Sequence, residues 1–147
     1  MDNGHWILAT GECGPVQALP KNCYGFIYQI ENKTSGRKYI GKKQAVKTIK
    51  RPPLKGRKNK RHVLVESDWK TYTGSCNELN ADIHKHGKEN FAFTILKICY
   101  NKWELAYEEA SLQFELGVLL SDNYYNGIIN CRIGIKPKKC SHSQDIT

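Results

Sequence analysis

Two tyrosines eleven positions apart are the first residues of this sequence that could take part in chemistry together. Tyr28 and Tyr39 lie in residues 24–31 and 37–43, two segments rich in β-branched and aromatic residues with a glycine-containing turn sequence between them. This pattern predicts a β-hairpin. Lys42 follows Tyr39 on the second predicted strand. Phenols beside cations suit chemistry on a phosphate group, because nearby positive charge lowers the pKa of a phenol and offsets developing negative charge.

A glutamate on a predicted helix is the next candidate. The Asn-x-x-Glu pattern of residues 101–104 is typical of a capping box and opens a helix that we expect to end near residue 119. One row of this helix contains three leucines and Glu109, whereas Glu108 belongs to a polar row. A carboxylate on an apolar face needs a cation, hydrogen bonds or a metal ion to compensate it. The alternative is a boundary glutamate that reaches water or a lysine.

The charge distribution points to an anionic partner. The chain of 147 residues has 23 Lys and Arg against 14 Asp and Glu, a net charge of +9. Residues 37–61 contain 12 of the basic residues and no acid, which leaves 11 basic and 14 acidic residues elsewhere, a net charge of −3. Such a block indicates nucleic acid or sometimes an anionic membrane surface, although it is also typical of a solvated loop. Residues 44–62, interrupted by Pro52 and Gly56, predict a loop or an interrupted helix.

The predicted hairpin resembles the GIY-YIG nuclease family. Residues 39–41, Tyr-Ile-Gly, match the second half of the family motif, and residues 26–28, Phe-Ile-Tyr, stand where Gly-Ile-Tyr is usual, with Gly25 displaced by one position. The gap of eleven residues between the two tyrosines matches the usual separation. Residues 84–96 look like the family's helix, glycine turn and third strand, so the resemblance covers residues 24–134, about three quarters of the chain.

The resemblance implies a metal-dependent DNA endonuclease. It makes Glu109 the ligand of Mg²⁺ or Mn²⁺, and it gives Tyr28 the task of orienting or deprotonating the attacking water. Tyr39 then hydrogen-bonds in the same site, and Lys42 matches a lysine of the repair-type members that stabilises charge on the phosphate. No small-molecule cofactor beyond the metal is expected.

Two further catalytic positions and one departure follow from the same resemblance. Tyr72 would serve as a tyrosine does in the repair-type members, and Asn126 matches the asparagine that commonly closes the module. The family usually has an arginine about eight residues past the motif glycine, but Ile49 stands there. Three arginines of the basic block could supply that cation instead: Arg51, Arg57 and Arg61.

The basic block is expected to hold the backbone of double-stranded DNA. Phosphate contacts position a protein without specifying sequence. The residues expected to bind DNA are Lys43, Lys47, Lys50, Arg51, Lys55, Arg57, Lys58, Lys60 and Arg61. The alternative function is a non-catalytic nucleic-acid-binding module that retains the fold, suggested by the altered first half-motif and the missing arginine. A third is an interaction protein whose basic loop docks on an acidic partner.

The expected architecture is a small α/β (α+β) domain of the GIY-YIG type. It has a mainly antiparallel three-stranded sheet containing the hairpin, flanked by helices. Residues 91–99 alternate as a third strand, a capping box at residues 75–78 opens a short helix, and Ile133 could add a last short strand. The domain spans residues 24–134 with the basic insertion at 44–62, between an irregular extension at 1–23 and a flexible tail at 135–147.

Several classes of protein are excluded by the sequence. Six cysteines without a Cys-x-x-Cys pair do not form the usual structural zinc pattern, and free thiols in a reducing compartment are expected. No apolar run approaches the length of a transmembrane helix, and the N-terminus lacks a signal-peptide pattern. We therefore expect a cytoplasmic protein without a membrane partner, and the resemblance implies a bacterial or phage-infected cell. The oligomeric state cannot be deduced from these features.

Overall fold

The computed structural model describes residues 4–9, 16 and 18–137, which contain six strands and two α-helices. In chain order the strands are β1 (Ile7–Leu8), β2 (Gly25–Asn32), β3 (Lys38–Gln44), β4 (Val46–Arg51), β5 (Arg61–Glu66) and β6 (Phe91–Cys99). The helices are α1 (Asn77–His86) and α2 (Lys102–Leu116), and short 3-10 turns occupy Trp69–Thr71 and Lys88–Asn90.

Four strands form the main sheet in the order β1-β6-β2-β3. β2 runs antiparallel to both of its neighbours, and Tyr28 lies opposite Gly41 of β3. β1 pairs in parallel with β6. The α+β class and the antiparallel hairpin are confirmed, whereas the sheet has four strands instead of the expected three.

The additional strand comes from the segment that was expected to be irregular. Trp6, directly before β1, is fully buried, and its indole N–H donates to the carbonyl of Trp69 at 2.6 Å. Its ring packs against Phe26 and Tyr28, with centroids 5.3 and 5.0 Å apart. A strand of two residues is too short to show a periodic pattern, so the sequence could not reveal it.

Both faces of the β2–β3 hairpin are covered. Alternate residues of a strand point to opposite faces, so Phe26 and Tyr28 enter one core cluster and Ile27 enters the other. The first cluster includes Trp6, Trp69 and residues of α1, and the second includes Leu105 of α2. The hairpin is therefore held as a central layer.

The basic segment is regular structure, so the prediction of a loop or an interrupted helix was wrong. β4 and β5 pair antiparallel from Val46 opposite Glu66 to Arg51 opposite Arg61 and form a separate two-stranded sheet. We call residues 46–66 the arm. The prolines and glycine that suggested a break lie at its tip, between the strands. The β-branched residues of the two strands carried the correct signal, but the dense charge obscured it.

The helices agree with the sequence in part. Asn101 caps α2 through a 2.8 Å bond from the Glu104 N–H to its side-chain oxygen, as predicted. The helix ends at Leu116, earlier than expected, because Gly117 takes a left-handed conformation with φ of 62°. The predicted capping box of α1 is absent, since its N-cap is Cys76 without a side-chain bond. Residue 133 lies outside any strand.

The described residues also bear on the excluded classes. Cys23, Cys76, Cys99 and Cys131 are free thiols, while Cys13 and Cys140 lie outside the described residues. None of the helices in the described part of the chain is long and apolar enough to cross a membrane.

Candidate active site

The candidate residues gather around Gly41, on the edge strand β3. Gly41 lies opposite Tyr28, and the alternation of the strand puts Tyr39 on the same face as Tyr28. The same alternation puts Lys42 on the other face, which α2 covers. Phenols from the hairpin and a carboxylate from α2 therefore approach one sheet edge from opposite faces.

Three tyrosine rings form a cluster on the first face. The ring of Tyr28 has its centroid 6.1 Å from that of Tyr39 and 6.1 Å from that of Tyr72. Tyr28 is only 1% exposed, whereas the other two are half-buried. The hydroxyls of Tyr28 and Tyr72 are hydrogen-bonded, and Tyr39 bonds to Ser75. The structure thus brings Tyr72, from the segment before α1, to the two strand tyrosines.

Two glycines leave the space that this cluster needs. A Cβ atom on Gly41 would lie 2.6 Å from the Tyr28 hydroxyl oxygen and 2.9 Å from the ring of Tyr39. Gly74 has a φ of +89°, and a Cβ atom on it would lie 3.3 Å from the same hydroxyl oxygen. A side chain at Gly41 would displace the phenols. Lack of space therefore explains why the motif has glycine at this position.

Burial decides the protonation of the tyrosines. It raises the pKa of Tyr28 far above the usual value, and the neighbouring Tyr39, Tyr72 and Glu109 and the hydrogen bond with Tyr72 add to the effect. Burial likewise raises the pKa of Tyr39. As a base, Tyr28 would need nearby cations to lower its pKa, whereas desolvation of the phenolate dominates here and raises it. Tyr28 is therefore a neutral hydroxyl in this structure.

Glu109 is a buried carboxylate with two protein partners. Its Oε1 accepts from Lys42 Nζ at 3.0 Å, and its Oε2 lies 3.4 Å from Gln113 Nε2. Its side chain is 11% exposed, against 32% for Glu108, which pairs with Lys97 at 3.2 Å. The helical phase thus correctly placed Glu109 on the protein-facing side of α2.

A second cation lies over the exposed side of the tyrosine cluster. Lys43 Nζ is 4.1 Å from the centroid of the Tyr72 ring and 2.7 Å from Asp68 Oδ1. The hydrogen bond from Lys43 holds the pKa of Asp68 below its usual range. Lys43, expected to bind DNA, therefore contacts a candidate catalytic residue directly.

The edge of β3 is covered on both sides of Lys42. Asn126 donates to the Ile40 carbonyl at 2.8 Å and accepts from the Ile40 N–H at 3.1 Å, so its amide occupies the place of a neighbouring strand. At the other end, the hydroxyl of Ser67 donates to the Gln44 carbonyl at 2.6 Å. Outward-pointing backbone groups alternate along an edge strand, which leaves those of Lys42 facing outward between the two covers. Asn126 thus hydrogen-bonds the backbone of β3, the strand that carries the site.

The arginines proposed for the site are not brought to it. Arg51, Arg57 and Arg61 are exposed residues of the arm, and the guanidinium of Arg61 donates through Nε to the Pro52 carbonyl at 3.3 Å. Arg37 instead pairs with Glu78 at 2.8 Å. Among the described residues, the cations that contact the tyrosines or Glu109 are the two lysines described above, Lys42 and Lys43.

Several residues of the site escaped the sequence reasoning. Gln113 lies one turn after Glu109 on the buried face of α2, and its amide also donates to the Ile40 carbonyl at 2.8 Å. A polar residue four positions from a buried glutamate was an available signal, since such residues meet on a helix. Asp68 and Ser75 had no such signal, because they lie in loops whose path the sequence does not determine.

A divalent metal ion is compatible with the donors present. The described residues contain no group of three or more His, Cys, Asp and Glu that could hold a metal by themselves. Mg²⁺, however, is commonly bound through one or two carboxylates together with water and substrate phosphates. Glu109 supplies such a carboxylate, and the Oε1 of Gln113 is a buried oxygen without a hydrogen-bond partner. These oxygen donors fit the chemistry of a hard cation.

Comparison with known proteins gives one match. Residues 6–129 match the model of a family described as "Putative endonuclease segE, GIY-YIG domain". The matched region extends from Trp6 to the loop after Asn126, so it includes both hairpins, both helices and all candidate catalytic residues. No curated protein and no solved structure matches the chain.

Proposed function

This chain belongs to the GIY-YIG family of endonuclease domains, and we propose that it is a metal-dependent endonuclease that hydrolyses phosphodiester bonds of double-stranded DNA. The observation that carries the proposal is the part-buried Lys42–Glu109 ion pair at the same edge of the sheet as the cluster of three tyrosines, which approaches that edge from the opposite face. Phosphodiester hydrolysis needs an oriented water, a means to move its proton and positive groups near the phosphoryl oxygens. The residues around Gly41 supply groups for each of these tasks.

Glu109 would hold one divalent ion, Mg²⁺ or Mn²⁺. Bound there, the ion supplies Lewis-acid stabilisation of negative charge on the phosphate. The carboxylate is suited to this role because it contacts Lys42 at 3.0 Å and is partly withdrawn from water. The Lys42 side chain is 37% exposed, so its ammonium can turn from Glu109 toward a phosphate at the edge of β3.

Tyr72 is the phenol that we assign to the attacking water. It is half-buried, so its hydroxyl can meet substrate, whereas Tyr28 is enclosed. The ammonium of Lys43 lies over the ring, 4.1 Å from its centroid, so this phenol and a cation lie next to each other. Tyr28 remains neutral and positions the Tyr72 hydroxyl through their hydrogen bond, and Tyr39 completes the cluster.

Cleavage of supercoiled plasmid tests this proposal. We expect nicking with Mg²⁺ or Mn²⁺ and a loss of at least about a hundredfold in rate for Glu109→Ala, as is usual when an essential charge-stabilising group is removed. Glu108→Ala is the matched control at the neighbouring, half-buried position, whose carboxylate pairs with Lys97, and should cleave like the parent protein. Nicking that persists undiminished in Glu109→Ala would contradict the assignment of the site.

A non-catalytic nucleic-acid-binding module is the second candidate. It is favoured by the enclosure of Tyr28 and by the absence of arginine contacts to the site among the described residues. This module would bind DNA with a strong salt dependence, and it would not cleave DNA with either Mg²⁺ or Mn²⁺. The same plasmid assay, combined with a binding titration in several salt concentrations, separates the two functions.

A further inference from the structure

The arm has a form that fits a groove of duplex DNA. Its strands contain six residues each, from Val46 to Arg51 and from Arg61 to Glu66, and they pair only with each other. Six residues of strand extend about 20 Å, and paired strands lie about 4.8 Å apart. The major groove of B-DNA is about 12 Å wide and admits a two-stranded β-ribbon.

The positive charge of the arm indicates the kind of partner that it binds. Residues 46–66 contain eight Lys and Arg and a single acid, Glu66. Isolated two-stranded hairpins are marginally stable in water, so an arm with exposed or half-exposed residues gains from a partner that covers it. A second copy of the chain would bring eight further cations against the first eight, whereas a polyanion neutralises them. Nucleic acid is the occupant that this charge favours.

The two faces of the arm differ in chemistry. Cross-strand partners share a face, so Ile49 with Val63, and Lys47 with Val65, belong to one face together with the Arg51–Arg61 pair. We call this the apolar-centred face. The other face has Thr48 opposite Leu64 and Lys50 opposite His62.

The apolar-centred face is the one continuous with the candidate active site. At the base of the arm, Lys47 lies two residues after Ala45, whose carbonyl accepts from the N–H of Ser67, directly before Asp68, at 2.9 Å. The charge of Lys47 also lowers the pKa of Asp68, after the larger contribution of Lys43. Asp68 binds Lys43, which covers the Tyr72 ring. The opposite face instead borders a cavity of about 880 Å³, through Val46, Leu64 and Glu66, together with residues 18–24. A duplex placed at Tyr72 therefore meets the apolar-centred face first.

We infer that the arm lies in the major groove next to the cleaved bond and that its apolar-centred face reads thymine. This inference rests on the proposed action on DNA. Ile49, Val63 and Val65 supply the apolar surface that contacts the thymine C5-methyl group, a group displayed only in the major groove. Lys47, Arg51 and Arg61 flank that surface and hold the phosphates or guanine edges beside it.

Binding without divalent metal tests the inference independently of cleavage. Fluorescence anisotropy would compare a thymine-containing duplex with the same duplex carrying uracil, which lacks the methyl group. We expect affinity for the uracil duplex to fall about fourfold for each methyl group covered. Ile49→Thr with Val63→Thr should remove this difference, whereas Leu64→Thr, on the opposite face, should retain it.

Charge variants supply the second part of the experiment. Arg51→Gln should lower affinity and reduce the log–log salt slope by about 0.9 if it contacts one phosphate. The control Lys85→Gln, at an exposed lysine of α1 that is not among the residues expected to bind DNA, should change the slope much less. Circular dichroism of each variant checks that the fold is retained.

Three outcomes would overturn the inference. One is equal binding of thymine and uracil duplexes by the parent protein, and another is an equal effect of the two charge variants. The third is a concentration-dependent dimer in sedimentation that Ile49→Thr dissociates, since the arm would then cover a second copy. Failure of cleavage alone, with thymine-dependent binding intact, would contradict the proposed endonuclease activity and leave the arm assignment standing.

Discussion

The β2–β3 hairpin and the arm are successive antiparallel pairs in the same chain, joined through Ala45 and Ser67. The Ser67 N–H donates to the Ala45 carbonyl at 2.9 Å, so the two units meet at a short hydrogen-bonded junction. The first hairpin is packed on both faces, with Phe26 and Ile27 essentially inaccessible. The strands of the arm consist of exposed and half-exposed residues.

Under the proposed function, this difference in burial gives similar backbones different tasks. A catalytic cluster needs side chains fixed by packing, as the enclosed Tyr28 and Glu109 are. A surface that binds a polyanion needs solvated cations that exchange counterions for phosphates. If the comparison holds, substitutions in the first hairpin change stability and activity together, and substitutions in the arm change binding alone.

The largest expected effect concerns the tryptophan that covers the first hairpin. Trp6→Ala should lower the free energy of unfolding by about 3–5 kcal/mol, because it empties a fully buried position beside Phe26 and Tyr28. Urea denaturation monitored by circular dichroism measures this change. Ile49→Ala in the arm is the control and should cost less, about 1 kcal/mol, because the position is half-exposed. Equal costs would mean that the arm belongs to the same packed unit.

The glycine of the motif gives the next largest effect. Gly41→Ala places a methyl group 2.6 Å from the Tyr28 hydroxyl oxygen, and the resulting overpacking should cost about 1–3 kcal/mol and abolish cleavage. Gly127→Ala is matched, since its Cβ meets nothing within 4 Å. Chemical denaturation and the plasmid assay report the two effects. A stable and active Gly41→Ala protein would show that the cluster is looser than its geometry indicates.

The free energy of unfolding at alkaline pH tests the enclosure of Tyr28 in the first hairpin. Its pKa is raised by burial, so the unfolded chain loses this proton above about pH 10 while the folded chain retains it. Stability is therefore fully present below that pH and falls as pH rises, by at most about 1.4 kcal/mol per pH unit for this residue. The slope of unfolding free energy against pH between about 10 and 11 should be shallower in Tyr28→Phe. An unchanged slope would contradict the enclosure of this phenol.

The smallest expected effect lies at the junction between the hairpins. Asp68 is 71% exposed while it pairs with Lys43, so Asp68→Asn should lower the unfolding free energy by about 0.5 kcal/mol or less. The pKa of Asp68 is lowered, so the contribution is present at neutral pH and is lost as pH falls through the range in which this carboxyl is protonated. Thermal unfolding at pH 7 and pH 3 measures it. A cost of several kcal/mol would mean that the arm and the hairpin unfold as one tightly coupled unit.

The sequence revealed those parts of the fold that depend on local patterns. β6 begins and ends where the alternation of residues 91–99 predicted, and Asn101 caps α2. The position of Glu109 on the protein-facing side of that helix followed from its phase. These features depend on residues close in sequence, so one chain is enough to predict them.

The remaining parts depend on contacts between distant residues. β1 exists because Ile7 and Leu8 find partners on β6, almost ninety positions later. The protonation of Tyr28 could not be predicted, because the burial that raises its pKa, which includes packing against Trp6 and Tyr72, appears only after folding. The arm was mistaken for a loop because its dense charge suggested a solvated segment. Its structure depends instead on pairs between β4 and β5, residues that are distant in sequence.

The covered edge of β3 also bears on self-association. An open edge strand offers a row of unpaired backbone groups on which a further strand, including one from another molecule, can assemble into aggregates. Here the amide of Asn126 and the hydroxyl of Ser67 occupy the positions on either side of Lys42. A gap of one residue is too short to template a strand. The same two side chains that frame the site therefore also protect the sheet from edge-to-edge aggregation.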